Sequence, residues 1–290
     1  MTLAAETVAG LTAAGLDVAQ VEQLARRTVE EDLAGGVDVT SVATIPEDLI
    51  GTAAFVPREP GVVAGIAVAM ACVDGVGPVS WDLVGRDGPV VAGQPVLVMS
   101  GPVRTLLTAE RSALNLLCHL SGVATLTAQW VAAVEGTGAR IRDTRKTTPG
   151  LRALEKAAVV VGGGVNHRAS LSDAALVKDN HVVAAGGVAA AYAAVRDRWP
   201  DLAVEVECDT VEQVAEVIAV GADLVLLDNM TLEQLRESVA LCRPRGVRTE
   251  ASGGLTLDRA RAVAETGVDF LSVGALTHSA AVLDLGMDLR

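Results

Sequence analysis

The sequence predicts an α/β protein in two parts, a small β-rich segment followed by a parallel sheet built from strand–helix repeats. Three observations carry this. Between Gly51 and Val103, short apolar runs are punctuated by Pro57, Pro60, Pro78, Pro89, Pro95 and Pro102, as in short strands joined by tight turns. Beyond residue 138, continuous apolar strands alternate with helical patterns, the habit of parallel strands buried on both faces. The strand starts, near residues 140, 174, 203, 223, 247 and 269, lie 20 to 34 residues apart, the rhythm of successive βα units.

Residues 2 to 30 place apolar side chains at helical spacing, and Asp32 to Thr44 then read as a glycine-rich loop, EDLAGGVDVTSVAT. Thr108-Ala-Glu-Arg opens a helical stretch at the junction into the second part. Its uncharged run from Ser112 to Val134 is long enough to span a bilayer. Asn115, His119, Ser121-Gly122, Thr125, Thr127 and Gln129 interrupt it, so two packed helices are expected and no membrane segment. The expected domains are 1–108 and 109–276, with about 277–290 packing back on the first. The later strands are RIRDTR, AALVKDN, AVEVECD, DLVLLDN, VRTEASGG and DFLSVGA. Periodicity leaves an open or a closed sheet possible. The polar residues favour closure, because Arg145, Lys178, Glu207, Asp228, Ser252 and Gly274 each fall at or just past the C-terminal end of a different strand. In a barrel those ends meet at one mouth, where catalytic groups sit.

Composition narrows the partners. The chain has 290 residues, a net charge of -13 and six aromatic residues (Trp 3, Tyr 1, Phe 2), a poor surface for tracking phosphate backbones or stacking bases; no nucleic-acid partner is expected. Only three lysines occur, Lys146, Lys156 and Lys178, all within one stretch. Residues 140 to 180 hold eight basic and four acidic residues, a net +4 that leaves -17 for the remainder. A basic island in an acidic chain suits a small, multiply charged anion. A solvated helix face accounts for Arg152 and Lys156, four apart, but not for the rest. Cys72, Cys118, Cys208 and Cys242 follow no zinc or redox spacing, and the N-terminus lacks a signal-peptide pattern; a reducing cytoplasm is expected.

Three strings concentrate chemistry. RDTRKTTPG puts the adjacent cations Arg145 and Lys146 at a strand end, able to grip two separate anions. GGGVNHR is a glycine-rich approach that delivers His167 and Arg168, and LVKDNH ends a strand in Lys178. Together these five place positive groups on one rim, where their repulsion is costly without an anion. Opposite in sign, Glu205 and Glu207 alternate to one side of their strand and Asp228 follows the apolar LVLL; such carboxylates suit Mg²⁺ held jointly with phosphate oxygens, or ion pairs with the cations just named. EASGG and VGALT end strands in small residues ahead of helical segments, a frequent phosphate site after the last strands of a barrel. His119, His181 and His278 have no ligand-like partners and read as structural.

At this point the chain resembles the quinolinate phosphoribosyltransferase family, through TAERSALNLLCHLSGVAT, IRDTRKTTPGLRALEK, GGGVNHR, LVKDNH, EVEC, LLDN, EASGG and VGALTHS, in that order and with matching spacing. Ala157 and Met230 depart from residues common in the family; no charged motif residue is missing. The resemblance implies an N-terminal α/β sandwich domain and an incomplete, open TIM-like α/β barrel. It also implies Mg²⁺-dependent transfer of the phosphoribosyl group of phosphoribosyl pyrophosphate to quinolinate, releasing CO₂, pyrophosphate and nicotinate mononucleotide for NAD biosynthesis. By position it puts Arg145, His167, Arg168 and Lys178 on the quinolinate carboxylates, with Arg111 reaching in from a neighbouring subunit of a homo-oligomer, a dimer or a hexamer of dimers. Lys146, Lys178, Glu207 and Asp228 serve phosphoribosyl pyrophosphate and its Mg²⁺, and Ser252, Gly253 and Gly274 hold the 5'-phosphate. Rival readings are a nicotinate-type phosphoribosyltransferase that releases no CO₂, a barrel aldolase forming a Schiff base on Lys178, and a non-catalytic sensor of phosphorylated metabolites.

Overall fold

The computed structural model describes residues 2–290. The chain divides into two compact units, one comprising the chain up to Leu126 with Ala153–Gly162 and Ser279–Arg290, the other Thr127–Arg152 and Gly163–His278.

The first unit opens with helices α1 (Ala5–Ala13) and α2 (Val18–Leu33), as the helical spacing predicts. Asp17 caps α2 by accepting from the Gln20 N–H at 2.9 Å. The expected loop from Asp32 to Thr44 contains a further short helix, α3 (Val39–Thr44), started by Asp38, which accepts from the Ser41 N–H at 3.0 Å. Strands β1 (Ile50–Pro57) and β2 (Gly61–Val63) follow, and then helix α4 (Ile66–Val76) interrupts the β-rich segment. Its apolar run carries no readable face, since residues 68 to 73 are all buried. Its start is capped from 21 and 22 residues away by Asp87, which accepts from the Ile66 and Gly65 N–H groups. Strands β3 (Ser80–Val84), β4 (Gly88–Val90) and β5 (Leu97–Pro102) complete the segment. The final strand, β12 (Leu285–Leu289), returns to pair antiparallel with β1, giving a four-stranded sheet ordered β12-β1-β5-β3. Phe55, Met70, Leu97 and Met99 are fully buried in its core.

Where two packed helices are expected, the structure has one, α5 (Val103–Ala133), 31 residues long. The polar residues that suggested a break are used as fasteners: Thr125 Oγ1 accepts from the Val62 N–H at 2.9 Å, and Ser121 Oγ from the Ala64 N–H at 3.1 Å. Half of the helix's apolar window is buried inside the protein, with Leu106, Leu114, Leu117 and Leu120 in the core. The boundary between the compact units falls within this helix, after Leu126, where the sequence reading puts it after residue 108.

The second unit is a run of parallel strands, β6 (Arg140–Arg142), β7 (Ala175–Val177), β8 (Val204–Cys208), β9 (Leu224–Asp228), β10 (Arg248–Ser252) and β11 (Phe270–Ser272). Along the chain β6 is followed by α6 (Arg152–Val161), which beyond Arg152 belongs to the first unit; between the other strands come α7 (Asp179–Ala185), α8 (Val188–Arg198), α9 (Val211–Ala219), α10 (Leu232–Cys242) and α11 (Leu257–Ala264), with the single turn α12 (Ala275–His278) after β11. Each strand begins within a residue of its expected start. The sheet order is β6-β11-β10-β9-β8-β7. That is the neighbour sequence of a TIM-like barrel opened between β6 and β7, as the family resemblance implies; the expectation of closure from strand-end polarity holds for the shared mouth but not for the hydrogen-bonded ring. Capping boxes at Thr210/Gln213 and Thr231/Gln234 start α9 and α10 and so end the loops that carry the strand-end residues.

Candidate active site

Parallel strands deliver all their C-terminal ends to one side of a sheet. Arg142 ends β6, Lys178 follows β7, Glu207 lies one residue before the end of β8, Asp228 and Ser252 end β9 and β10, and Gly274 comes two residues after β11. Lys178 Nζ donates to Glu207 Oε2 at 2.5 Å, so these two predicted residues meet directly. Lys146 is exposed, its aliphatic stem beside Gly274, where an added Cβ would lie 3.0 Å from Lys146 Cδ. The Thr277 hydroxyl donates to the Lys146 carbonyl at 2.8 Å and ties the two loops together. Asp228 is half-buried and accepts from Asn229 Nδ2 at 2.5 Å. Gly253 adopts φ +90°, and a Cβ there would lie 2.8 Å from the Asn229 backbone nitrogen, so the turn after β10 admits only glycine.

The basic island is organised around Arg145 and Arg168. The Arg168 guanidinium is held below its ordinary range, first by partial burial and next by the charge of Arg145. Arg145 Nε is buried with no hydrogen-bond partner among the described residues. Arg152, which the sequence assigns to a solvated helix face, instead clasps both loops. Its Nε donates to Thr147 Oγ1 at 2.9 Å, its Nη1 to the Ala169 carbonyl at 2.9 Å and its Nη2 to the Arg145 carbonyl at 3.4 Å. Lys156 is not solvated either, being 4% exposed. The glycine run after α6 serves chain reversal, Gly163 taking φ +87° as the helix ends. Arg111 belongs to the first unit, on α5, its side chain 63% exposed and its nearest charge Glu110 at 3.9 Å. His181 is structural, its Nδ1 accepting from the Lys178 N–H at 2.9 Å, and His119 pairs with buried Glu155 at 2.8 Å.

Inside the sheet lies a polar cluster that sequence reasoning caught only in part. Arg142 from β6 forms a close ion pair with Glu250 from β10 and lies 4.0 Å from Glu205 of β8. His167 Nε2 is 2.9 Å from Glu205 and 3.6 Å from Glu250. The His167 ring therefore turns inward, 8% exposed, where the resemblance has it on the acceptor carboxylates. Arg142 and Glu250 carry little sequence signal, being charged residues among the other polar residues of two short strands, RIR and RTEAS. Burial pushes Glu205 up to about 7 against the pull of Arg142, and burial with the neighbouring Glu205 charge pushes Glu250 to the same value.

The two domain models of one family match this chain in succession, the quinolinate phosphoribosyl transferase N-terminal domain over residues 38–121 and the C-terminal domain over residues 123–288. The chain belongs to the quinolinate phosphoribosyltransferase family. It is 52% identical over 270 residues to the nicotinate-nucleotide pyrophosphorylase [carboxylating] of Mycobacterium leprae, covering 91% of this chain and 95% of that one. It is 39% identical over 275 residues to the probable nicotinate-nucleotide pyrophosphorylase [carboxylating] of Bacillus subtilis, covering 93% of each. The solved nicotinate-nucleotide pyrophosphorylase from Francisella tularensis superposes with a TM-score of 0.91 at 36% identity, over 95% of this chain and 98% of that one.

For this quinolinate phosphoribosyltransferase family member the buried carboxyl pair has a consequence for stability. A raised carboxyl pKa means that the folded protein keeps a proton the unfolded chain releases, so stability is full below the ordinary value of 4.5 and falls as pH rises to about 7. Treated as one proton shared by the pair, the loss is on the order of 3 kcal/mol. Urea unfolding from pH 4.5 to 8 is expected to show this decline, and Glu250→Gln to flatten it; an unchanged slope in the variant would place the proton elsewhere.

Proposed function

We propose that this chain transfers the phosphoribosyl group of phosphoribosyl pyrophosphate to the ring nitrogen of quinolinate and releases CO₂, giving nicotinate mononucleotide and pyrophosphate. The observation that carries the reading is a partly buried Arg168 within reach of the Arg145 charge, with Arg145 Nε itself buried and without a hydrogen-bond partner among the described residues. Two guanidinium groups in mutual repulsion, one with an unsatisfied buried N–H, are stabilised by an anion with more than one carboxylate. Quinolinate is such a dianion. A nicotinate-type acceptor offers one carboxylate, and a Schiff-base aldolase needs an amine free to attack, whereas the Lys178 ammonium is engaged by Glu207.

In this reading Arg145, Arg168 and Lys178 hold the acceptor, and Arg111 of a second subunit completes the carboxylate grip in a homo-oligomer. Lys146 and Lys178 neutralise the departing pyrophosphate, and Ser252, Gly253 and Gly274 offer backbone and hydroxyl groups to the 5'-phosphate. Glu207 and Asp228, on adjacent strands, are hard oxygen donors with no third protein ligand beside them among the described residues. That set fits Mg²⁺, which keeps waters and takes substrate phosphate oxygens; when bound it would neutralise pyrophosphate charge. The carboxylates also face the ribose as positive character builds on its anomeric carbon, the kind of charge that preorganised groups stabilise. The ring nitrogen forms the new bond to that carbon and pyrophosphate leaves with the bonding pair. The adjacent carboxylate then departs as CO₂, its electron pair remaining beside the cationic nitrogen until a proton replaces it. No covalent enzyme intermediate is required.

Incubation with quinolinate, phosphoribosyl pyrophosphate and Mg²⁺ is expected to yield equimolar CO₂ and nicotinate mononucleotide, and chelation to abolish both. Product from nicotinate without CO₂ would instead select the other acceptor. Arg111→Ala and Lys146→Ala proteins are each expected to be inactive, and to regain activity when mixed under subunit exchange because some hybrid sites carry neither lesion. Absence of recovery despite demonstrated exchange would remove Arg111 from the neighbouring site.

A further inference from the structure

His167 is the one predicted acceptor ligand whose ring is committed to the protein on both sides. Its Nε2 faces Glu205 at 2.9 Å, while its Nδ1 accepts from the Arg168 backbone N–H at 2.7 Å. Its own backbone N–H donates to buried Asp143 Oδ1 at 2.7 Å. A nitrogen that accepts from an amide must present its lone pair, so the ring proton sits on Nε2 and is donated to Glu205. The imidazole is then uncharged. Behind it, Glu205 Oε1 and Glu250 Oε1 are both buried and have no donor among the described residues. Ligand atoms of His167, Glu205 and Glu250 converge within 4.8 Å, as at a metal site, but the Arg142 guanidinium already supplies the cation.

We propose that this buried unit positions the acceptor-binding segment, with the uncharged His167 ring acting as a positioning residue that fixes the Arg168 backbone through Nδ1. The inference rests on the assignment of Arg168 to the acceptor. The sheet supplies the rigidity: Glu205 and Glu250 stand on β8 and β10, Arg142 on β6, and the His167 ring passes their geometry to a loop that also carries Arg168. Arg168 itself is anchored at a second point, its Nη1 donating to the Ala174 carbonyl at 2.9 Å.

Nitrogen-15 NMR of the protein labelled at its four histidines tests the tautomer. The expected result is a ring with a proton on Nε2 and a lone pair on Nδ1 that is lost in His167→Gln, separate from the His181 ring, whose Nδ1 also accepts from an amide. Protons on both nitrogens, or on Nδ1, would overturn the proposal, as would a stoichiometric divalent ion that leaves with His167→Gln. Kinetics test the positioning. Glu205→Met removes the acceptor of the Nε2 proton and is expected to raise KM for quinolinate roughly tenfold, the scale of one net hydrogen bond, with KM for phosphoribosyl pyrophosphate changed less than about twofold. Glu205→Gln keeps an oxygen for Nε2–H and supplies an N–H to Glu250, so it is expected to restore the quinolinate KM to within about threefold. Equal damage from Gln and Met would show that the ring needs a negative charge and is an imidazolium, contrary to the proposal. Arg168→Ala, run in parallel, separates the two claims: a raised quinolinate KM there with an unchanged one in folded Glu205→Met sinks the positioning role alone, whereas no change in Arg168→Ala sinks the acceptor assignment beneath it.

Discussion

Lys178→Ala is expected to lower kcat/KM for quinolinate by about two to three orders of magnitude, the usual effect of deleting a preorganised charged donor from a site where charge moves. Lys178 emerges at the end of β7 with its ammonium 2.5 Å from Glu207, whose side chain is only 9% exposed. Removing it takes one cation from the substrate anions and leaves a largely desolvated carboxylate unpaired, which repels the incoming pyrophosphate. The two effects separate in a double-mutant cycle. Glu207→Gln in the Lys178→Ala background relieves the stranded charge and is expected to cost less than it does in the parent, a non-additivity that reports direct coupling. Lys178→Arg keeps the charge in a different shape and should retain more activity than Lys178→Ala. A loss under about threefold in Lys178→Ala would remove the residue from the reaction.

Gly122→Ala is expected to destabilise the protein by about 2 to 4 kcal/mol, at or above the upper end of ordinary overpacking, because the obstacle is main chain. Alanine within a helix normally gains about 1 kcal/mol over glycine. Here the added Cβ would stand 2.9 Å from both the Ala281 carbonyl carbon and Val282 Cα, and closer still to the Ala281 oxygen. The segment cannot slide away, since the Leu283 N–H donates to the Cys118 carbonyl at 3.1 Å and β12 follows at once. Gly61→Ala makes the comparison, because its nearest obstacle is the movable end of the Leu283 side chain at 2.6 Å. It is expected to cost less than Gly122→Ala, measured as the shift in urea midpoint at constant m-value. Equal and small costs would mean that the C-terminal segment is held less firmly than its pairing with β1 indicates.

The second unit was legible because its signals are local. A buried parallel strand must be continuously apolar and a helix between two such strands must be long enough to cross back, so the strand starts could be read within a residue. Lys178, Glu207 and Asp228 stood out for a related reason, as charge placed where an apolar strand stops. Three other features were not legible. The break suggested in α5 came from Ser121 and Thr125, whose hydroxyls turn out to hold β2 and the residue just after it. The start of α4 depends on Asp87, more than twenty residues downstream. Arg152 and Lys156 have the spacing of a solvated face, yet Arg152 binds three loop oxygens and Lys156 is buried.

By itself, then, the sequence determined the α/β class, the strand count and rhythm of the open barrel, the +4 island in a chain of net charge -13, and the family. Each follows from the order of residues along the chain, through side-chain periodicity, local charge and motif spacing. Only the tertiary structure decided that Arg142, His167, Glu205 and Glu250 form one buried unit and that His167 faces inward. Those pairings join segments up to about a hundred residues apart, and they are set by strand order and register, which a one-dimensional pattern does not contain.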